Sequence, residues 1–330
     1  MTIIPYSEQH KELWDTTLRQ SRFPALLLER GFMDYHADRF EDASLMVCDE
    51  KGRVEVLIAS SIRRDTNTIV SHGGLTYGGL IPSVHAGIKE IMEALGLACE
   101  YYRSLGAIRW ILKPAPWAYW SIPSEEVLYA MTQHGAVLKT RALSNCVALD
   151  AMQNAFGQTE DAIPQFFSEM RRRHVRKCRQ EGVKVMIPDN ESDSLENFWS
   201  ILTKNLSHRH GVAPVHSIEE MKLLMQRFPE RIYLATAMKG GEMLAGCVCF
   251  IASPQLVHVQ YISAADEGRN NNALDLLFAE LVGKVATEYK YLDFGISTLH
   301  DGTGMNEGLM FQKHGYGARG MCYDTYEIAL

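Results

Sequence analysis

The apolar residues of the chain recur with two different spacings, which alternate from one end to the other. Spacings of three and four predict amphipathic helices, as in segment 84–105 with its apolar residues Ile88 and Leu95. Short apolar runs between such segments predict strands, for example "YLDFGIS" at 291–297. Because the two patterns alternate throughout, the sequence predicts an α/β protein with mixed sheets.

The order of predicted elements occurs twice. Each half opens with a strand and continues through helices, an antiparallel meander, a long helix, a strand, a short helix and a closing strand. In the second half the predicted helices cover 163–181, 193–207, 217–227, 271–288 and 306–314. The halves share no obvious residue-level repeat, so element order alone predicts two similar domains, 1–142 and 143–330.

Length and charge limit the classes of partner. The chain has 330 residues, 33 Lys and Arg against 40 Asp and Glu, and a formal net charge of -7. A single hydrophobic core stops growing near roughly 250–300 residues, which agrees with two domains. A negative surface repels the phosphate backbone, so we expect no DNA partner, although one local anion site remains compatible with this charge.

The spacing of the cysteines and the length of the apolar runs bear on where in the cell the protein is expected. The seven cysteines are scattered without a CxxC pair, which is typical of reduced, mostly buried thiols in a cytoplasmic protein. The first residues lack the pattern of a signal peptide. Every apolar run is far shorter than the about 20 residues of a membrane-spanning helix. We therefore expect a cytoplasmic protein with no membrane span and no metal site.

A basic run stands out against the acidic chain. Residues 171–179 contain six Lys or Arg and one histidine. Placing 163–181 on a helical wheel puts Arg173 and Lys177 one turn apart at the margin of an apolar stripe. These two side chains are candidates for binding an anionic part of a substrate. The wheel places three others on the opposite, solvated side: Arg172, Arg176 and Arg179. Cations near a helix C-terminus also favour its dipole, which is the alternative explanation.

A second candidate anion site precedes the long helix of the second half. The segment after the strand at Tyr261 reads "YISAADEGRNNNALDLLF". Asparagines cap helices well, and the free N–H groups of a helix start can bind a phosphate. The sequence therefore predicts a donor-binding site at four consecutive residues: Arg269, Asn270, Asn271 and Asn272. A plain strand–helix connection is the alternative.

Other segments supply weaker candidates for substrate contact. The loop "LSHRHGVAPVHS" contains Arg209 and His216, with histidine spacing that does not suit a metal site. Tyr77 lies among four glycines that let the backbone approach another group closely. Lys313 ends a short helix, where it is either a cation near a ligand or a simple C-terminal charge. The chain shows no catalytic triad signature.

Four segments of the second half, over about 140–330, resemble the Fem-type aminoacyltransferase and BioF2-like acyltransferase branch of the GNAT superfamily. They are "RRRHVRKCRQEGV", "YISAADEGR", "YLDFGIS" and "KHGYGA". The resemblance implies two tandem GNAT-like domains and adds Tyr261 and Tyr316 to the candidates for substrate contact. It also implies that Lys313 serves the acyl-transfer centre, which makes Lys313 the main catalytic candidate.

The resemblance implies direct transfer of an acyl group to an amine, which needs no covalent nucleophile. The first hypothesis is an acyltransferase using an acyl-CoA-like thioester, with no tightly bound cofactor. The second is an aminoacyl-tRNA-dependent enzyme acting on a cell-wall precursor, and the third is a non-catalytic anion-binding module. The usual pyrophosphate loop is replaced by "GRNNNA" at 268–273, and the absence of a long helical insertion disfavours tRNA.

Overall fold

The computed structural model describes residues 1–299 and 304–330, without the side chains of residues 209 and 210. The fold is α/β with mixed sheets, which confirms the predicted class. The contact pattern divides the chain into two compact units. The first unit comprises Met1–Leu143 with Leu299, Gly304 and Cys322–Leu330, and the second comprises Ser144–Thr298 with Met305–Met321. The sequence analysis assigned the whole of 143–330 to the second domain, whereas the last strand residues group with the first unit.

The first unit has short strands and one long helix. Its strands are β1 (Thr2–Pro5), β2 (Glu41–Asp42), β3 (Leu45–Cys48), β4 (Val54–Ala59), β5 (Ser61–Arg63), β6 (Thr68–Val70), β7 (Gly79–Pro82) and β8 (Arg109–Leu112). Its helices are α1 (Lys11–Arg19), α2 (Arg30–Met33), α3 (Ile88–Ser104) and α4 (Glu126–Gln133). Antiparallel pairing gives the order β1-β3-β4-β7, and β6 pairs with β8 in parallel.

The second unit is built around one sheet and the apolar helix α10. Its strands are β10 (Lys184–Met186), β11 (Ile232–Lys239), β12 (Glu242–Ser253), β13 (Leu256–Ala264) and β14 (Tyr291–Ile296). Its helices are α5 (Leu149–Phe156), α6 (Glu169–Gln180), α7 (Ser194–His210), α8 (Ile218–Arg227), α9 (Asp266–Asn270), α10 (Ala273–Val285) and α11 (Glu307–Gly315). The strands β9 (Val137–Ala148) and β15 (Arg319–Ala329) contribute residues to both units.

The core of the second unit lies between its sheet and α10. Leu277, Phe278 and Leu281 of that helix are at most 1% exposed, and they pack with apolar residues of β11, β12 and β13. The connection before α10 lies close to the sheet, because a Cβ on Gly268 would stand 1.8 Å from the Leu244 carbonyl oxygen. Only glycine allows this approach, which fixes α9 against β12.

The basic helix begins later than the sequence suggested. Helix α6 starts at Glu169, after Ser168, whose Oγ accepts a hydrogen bond from the Arg171 N–H at 3.4 Å. Residues 163–168 are not helical, so counting helical phase from Ile163 gave the wrong stripe. The buried positions of α6 are Val175 and Cys178, and the half-buried Arg171 shares their face.

This shift corrects the placement of the predicted anion pair. Arg173 is exposed, and Lys177 is exposed with its Nζ 3.7 Å from Glu181 on the same helix. Arg179, expected to be solvated, is half-buried and donates to Glu280 at 2.7 Å. Arg172 is also half-buried, while Arg176 is exposed as expected.

All seven cysteines have free thiols. Six of them are buried, and Cys322 on β15 is exposed. Within residues 1–299 and 304–330, no helix has both the length and the apolar character needed to cross a membrane.

Candidate functional site

Two parallel strands of the second unit separate to form a cleft. β13 pairs with β14 over three positions, ending with His258 opposite Asp293. Beyond them β13 continues to Ala264 along β12, and β14 continues to Ile296 along β9. We call the space between these diverging strand ends the β13–β14 cleft. In open parallel sheets, ligands bind beyond the carboxyl ends of the strands, so this cleft is the first place to look for a site.

A cavity of about 290 Å³ occupies the cleft. Its walls come from the two strands and from α7, α9, α10 and α11. The lining residues are Leu202, Asn205, Leu206, Ile262, Ser263, Ala264, Arg269, Leu274, Phe278, Phe294, Leu309, Gln312, Lys313 and Tyr316. Three predicted site residues are therefore brought together at one cavity: Lys313, Tyr316 and Arg269.

Lys313 enters the cleft from α11 and is only 5% exposed. Its Nζ donates to the Gly295 carbonyl oxygen at 2.7 Å and to the Ser297 Oγ at 2.7 Å. The Ile296 carbonyl oxygen lies further away, at 3.4 Å. Burial lowers the pKa of Lys313 from 10.5 to about 8, although the nearby Asp293 carboxylate opposes this shift. The amine is therefore easier to deprotonate than that of an exposed lysine.

Ser297 and Asn145 set the direction of the Lys313 amine. The Ser297 Oγ donates to the Asn145 Oδ1 at 2.7 Å, so it presents a lone pair to Lys313. Both side chains are at most 1% exposed. Two N–H groups of Lys313 thus make short hydrogen bonds to β14 and the residue after it. The third makes only the longer contact with the Ile296 carbonyl oxygen, so it is the one that a group in the cavity can take over.

The end of β14 is fixed from behind by a buried carboxylate. Asp293 accepts hydrogen bonds from the Ser144 Oγ at 2.5 Å and from the Gly295 N–H at 2.9 Å. His258 Nδ1 lies 3.1 Å from its second oxygen. Gly295 has a φ of +77°, which a residue with a side chain rarely adopts. These contacts present the Gly295 carbonyl oxygen to Lys313.

A second buried carboxylate holds the opposite wall. Asp275, in the first turn of α10, accepts from the Tyr316 hydroxyl at 2.6 Å and from Arg171 at 2.9 and 3.1 Å. His174 Nδ1 lies 2.6 Å from the same carboxylate. The ring of Tyr316 lines the cavity. Burial raises the pKa of Tyr316 well above its usual value, so its hydroxyl stays protonated and donates.

The predicted donor-phosphate site has a different local structure. The short helix α9 occupies most of the expected loop, and Asn272 precedes α10 with a left-handed φ of +57°. The Arg269 guanidinium donates to the Asn205 Oδ1 at 3.0 Å and also to Ala264 and Asp266. Asn270 is exposed. The carbonyl oxygens of Asn271 and Asn272 face the Cys178 thiol, at 3.0 and 3.6 Å.

The remaining sequence candidates lie elsewhere. His216 donates from its backbone N–H to the Tyr261 hydroxyl at 3.1 Å, with its Nδ1 2.6 Å away, so these two are paired with each other. Neither lines the cavity, although Ile262 beside them does. Tyr77, a candidate for substrate contact in the sequence, is 2% exposed in the core of the first unit. The Arg209 side chain lies outside the described residues.

Four residues of this site were not predicted from the sequence: Asp275, Arg171, Asn145 and Ser297. One signal was available, because Asp275 is the only carboxylate in the first turn of a helix that is predominantly apolar. Asn145 and Ser297 are 152 residues apart and lie in or beside strands, where no spacing rule connects them. Among the described residues no group of three or more His, Cys, Asp or Glu could hold a metal ion.

Comparison with known proteins gives the fold. No family model matches the chain, and no curated protein matches its sequence. The solved structure of FemX superposes with a TM-score of 0.69 at 12% identity, covering 100% of this chain and 98% of that chain. The C-terminal domain of a putative lysylphosphatidylglycerol synthetase from Agrobacterium fabrum gives 0.59 at 12% identity, covering 97% and 92%.

A third solved structure is described as a protein with tandem domains. A tandem GNAT protein from the clavulanic acid biosynthesis pathway gives a TM-score of 0.54 at 12% identity, covering 99% of this chain and 98% of that chain. The chain therefore shares its overall fold with FemX and with a tandem GNAT protein. This fold agrees with the two tandem GNAT-like domains that the resemblance implied.

Proposed function

We propose that the protein transfers an acyl or aminoacyl group from an activated ester or thioester to an amine, in the β13–β14 cleft. The observation that carries this proposal is the buried Lys313 amine, oriented by two acceptors at the mouth of a cavity in a GNAT-type fold. The similarity in fold to FemX and to a tandem GNAT protein supports the same class of reaction.

The chemistry is a direct transfer. The amine nitrogen attacks the acyl carbonyl carbon, the carbon–oxygen or carbon–sulfur bond of the donor breaks, and an amide forms. The amine loses one proton and the leaving group gains one, so the transfer is neutral overall. Protonated Lys313 directs its remaining N–H at the carbonyl oxygen, where negative charge develops. A fixed buried donor of this kind stabilises the transition state without reorganising water.

The contacts before α10 favour a donor without a diphosphate at this position. Arg269, the cation of this segment, is already bound to three acceptors. Asp266 and Glu267 lie in the first turn of α9, and buried Asp275 lies in that of α10. Carboxylates at helix N-termini occupy the position that a phosphate would take and repel it.

The donor we favour is therefore an aminoacyl ester such as the 3′ end of a charged tRNA, rather than acyl-CoA. The sequence alone favoured an acyl-CoA-like thioester over an aminoacyl-tRNA, and the contacts before α10 reverse this preference. A peptide amine of a cell-wall precursor is the corresponding acceptor.

One experiment compares three donors that carry the same leucyl or hexanoyl group: a CoA thioester, an N-acetylcysteamine thioester and an ester of adenosine. Amide formation with a panel of peptide amines is measured by mass spectrometry. We expect transfer from the donors without a diphosphate, and its loss in Lys313→Met. Absence of amide from every donor would support a non-catalytic module, and a strict requirement for CoA would overturn the proposed donor class.

A further inference from the structure

The polar end of the cavity is closed by contacts within the protein. Asn205 Nδ2 donates to the Ser263 Oγ at 2.7 Å and to the Ala264 carbonyl oxygen at 2.9 Å. Its Oδ1 accepts from Arg269, whose guanidinium also donates to Ala264. These polar groups are therefore engaged with each other, and a charged ligand would have to break their contacts to bind them.

The rest of the wall is predominantly apolar. Eight of the lining residues have aliphatic or phenyl side chains: Leu202, Leu206, Ile262, Ala264, Leu274, Phe278, Phe294 and Leu309. Among the residues that the structure describes, none that lines the cavity carries a carboxylate. The charged side chains of the wall are Arg269, which is already hydrogen-bonded to Asn205, and Lys313 at the mouth of the cleft. A cationic tail would therefore meet no counter-charge here.

The volume also limits the ligand. About 290 Å³ lies at the lower end of the range for small-molecule sites, roughly 300–1,000 Å³. The cavity is large enough for the tail of one acyl or aminoacyl group and too small for a nucleotide with it. The activating part of the donor must then lie outside the cavity.

We propose that the cavity selects the transferred group by polarity and takes an uncharged apolar acyl tail. A charged tail loses its water among leucine and phenylalanine side chains without gaining a partner, which disfavours its binding. The carbonyl carbon then lies at the mouth, beside Lys313. This inference rests on the proposed function for the reaction, although the binding preference can be measured without any reaction.

The test uses three N-acetylcysteamine thioesters of equal chain length: hexanoyl, 6-aminohexanoyl and adipoyl. Binding to the full chain is measured by calorimetry and by the rise in melting temperature. We expect hexanoyl to bind at least about tenfold more tightly than either charged compound. Equal affinities, or tighter binding of a charged compound, would overturn the proposal.

A matched pair of variants locates the selecting surface. Leu206 is half-buried on α7, so a longer polar side chain fits at its position. Leu206→Glu places a carboxylate in the cavity and should shift the ratio of affinities about tenfold towards 6-aminohexanoyl. Leu206→Gln, which is similar in size and uncharged, should weaken hexanoyl binding without that shift. An unchanged ratio in Leu206→Glu would show that the acyl tail lies elsewhere.

Failures of the two proposals give different results. If hexanoyl binds preferentially but no amide forms with any amine, the transfer reaction fails and the apolar cavity stands. If amides form at equal rates from all three thioesters, the transfer stands and the selection by polarity is wrong. Comparing the three thioesters on the unsubstituted protein tests the selection by polarity even if Leu206→Glu does not fold.

Discussion

In the part of the chain that the structure describes, each unit contains one pair of parallel strands, and the two pairs end differently. In the second unit β13 and β14 separate after three paired positions and leave the cavity with Lys313. In the first unit β6 and β8 also pair over three positions, but their backbones remain joined beyond the strands. The Ser71 N–H donates to the Ile111 carbonyl oxygen at 2.8 Å, and its Oγ accepts from the Lys113 N–H at 3.1 Å.

Aromatic packing continues this closure in the first unit. The Gly78 N–H donates to the Lys113 carbonyl oxygen at 2.9 Å. The neighbouring Tyr77 ring lies 5.4 Å from the Phe23 ring and 5.0 Å from the Tyr119 ring, between centroids. Similar topology therefore gives a closed strand end in one unit and an open cleft in the other. The comparison indicates that side chains after the strands, rather than the strand order, decide where a ligand can enter.

The largest expected effect tests what holds the open cleft. Asp275→Ala removes the carboxylate bound by Arg171, His174 and Tyr316, and leaves a guanidinium largely buried without a partner. We expect the free energy of unfolding to fall by about 3–5 kcal/mol in urea titrations. The control is Asp161→Ala, whose exposed pair with Arg176 should cost about 0–1 kcal/mol. Equal losses would mean that Asp275 does not hold the cleft wall.

The next effect concerns catalysis and compares one lysine from each unit. Lys313→Met should lower kcat/KM for amide formation by about 100-fold, because the oriented donor is lost. The same change should alter the free energy of unfolding by only about 1–2 kcal/mol, since removing a buried charge offsets two lost hydrogen bonds. Lys113→Met, beside the closed strand end, should leave turnover within about twofold. A comparable loss in both variants would contradict the assignment of the chemistry to the second unit.

The pH dependence gives a smaller effect with a defined sign. If protonated Lys313 is the active form, kcat/KM should fall as pH rises through about 8, the lowered pKa of this amine. Stability should change in the opposite direction. Between pH 8 and 10.5 the unfolded chain holds the proton that the folded chain has released, so the contribution of Lys313 to stability rises with pH. Lys313→Met should remove both trends, whereas activity that increases through pH 8 would identify a general base.

The smallest effect is expected at the closed strand end. Ser71→Ala removes the Oγ that accepts from the Lys113 N–H, which should lower the free energy of unfolding by about 1 kcal/mol. Turnover should not change. Ser297→Ala in the second unit is the matching change and should lower turnover, because it releases one N–H of Lys313. If Ser71→Ala also lowered turnover, the two strand ends would not be functionally distinct.

Strong periodicity explains which elements the sequence predicted. Segments 84–105, 271–288 and 306–314 were predicted helical, and the structure has α3, α10 and α11 within about two to four residues of these limits. Lys313 was found through a motif rather than through its surroundings. Its burial and its acceptors come from β14 and the residue that follows it.

The errors have identifiable physical causes. The predicted apolar stripe of the basic helix included residues 163–168, which are not helical. Ala162, just before them, has a left-handed φ of +54°, and Pro164 follows, so a helical wheel cannot be continued from these residues into α6. The charge of that helix that contacts the buried carboxylate of the cleft wall is Arg171, whose partner Asp275 is 104 residues away in the sequence. Helical periodicity does not encode such long-range pairs. For the same reason Asn145 and Ser297 could not be recognised before the strands were placed.

The distribution of thiols has a practical consequence. Six cysteines are buried and Cys322 alone is exposed. A maleimide dye should therefore attach to the native protein at a single position on β15 without any engineered residue. The label would be carried by the first unit, whereas the proposed chemistry lies in the second.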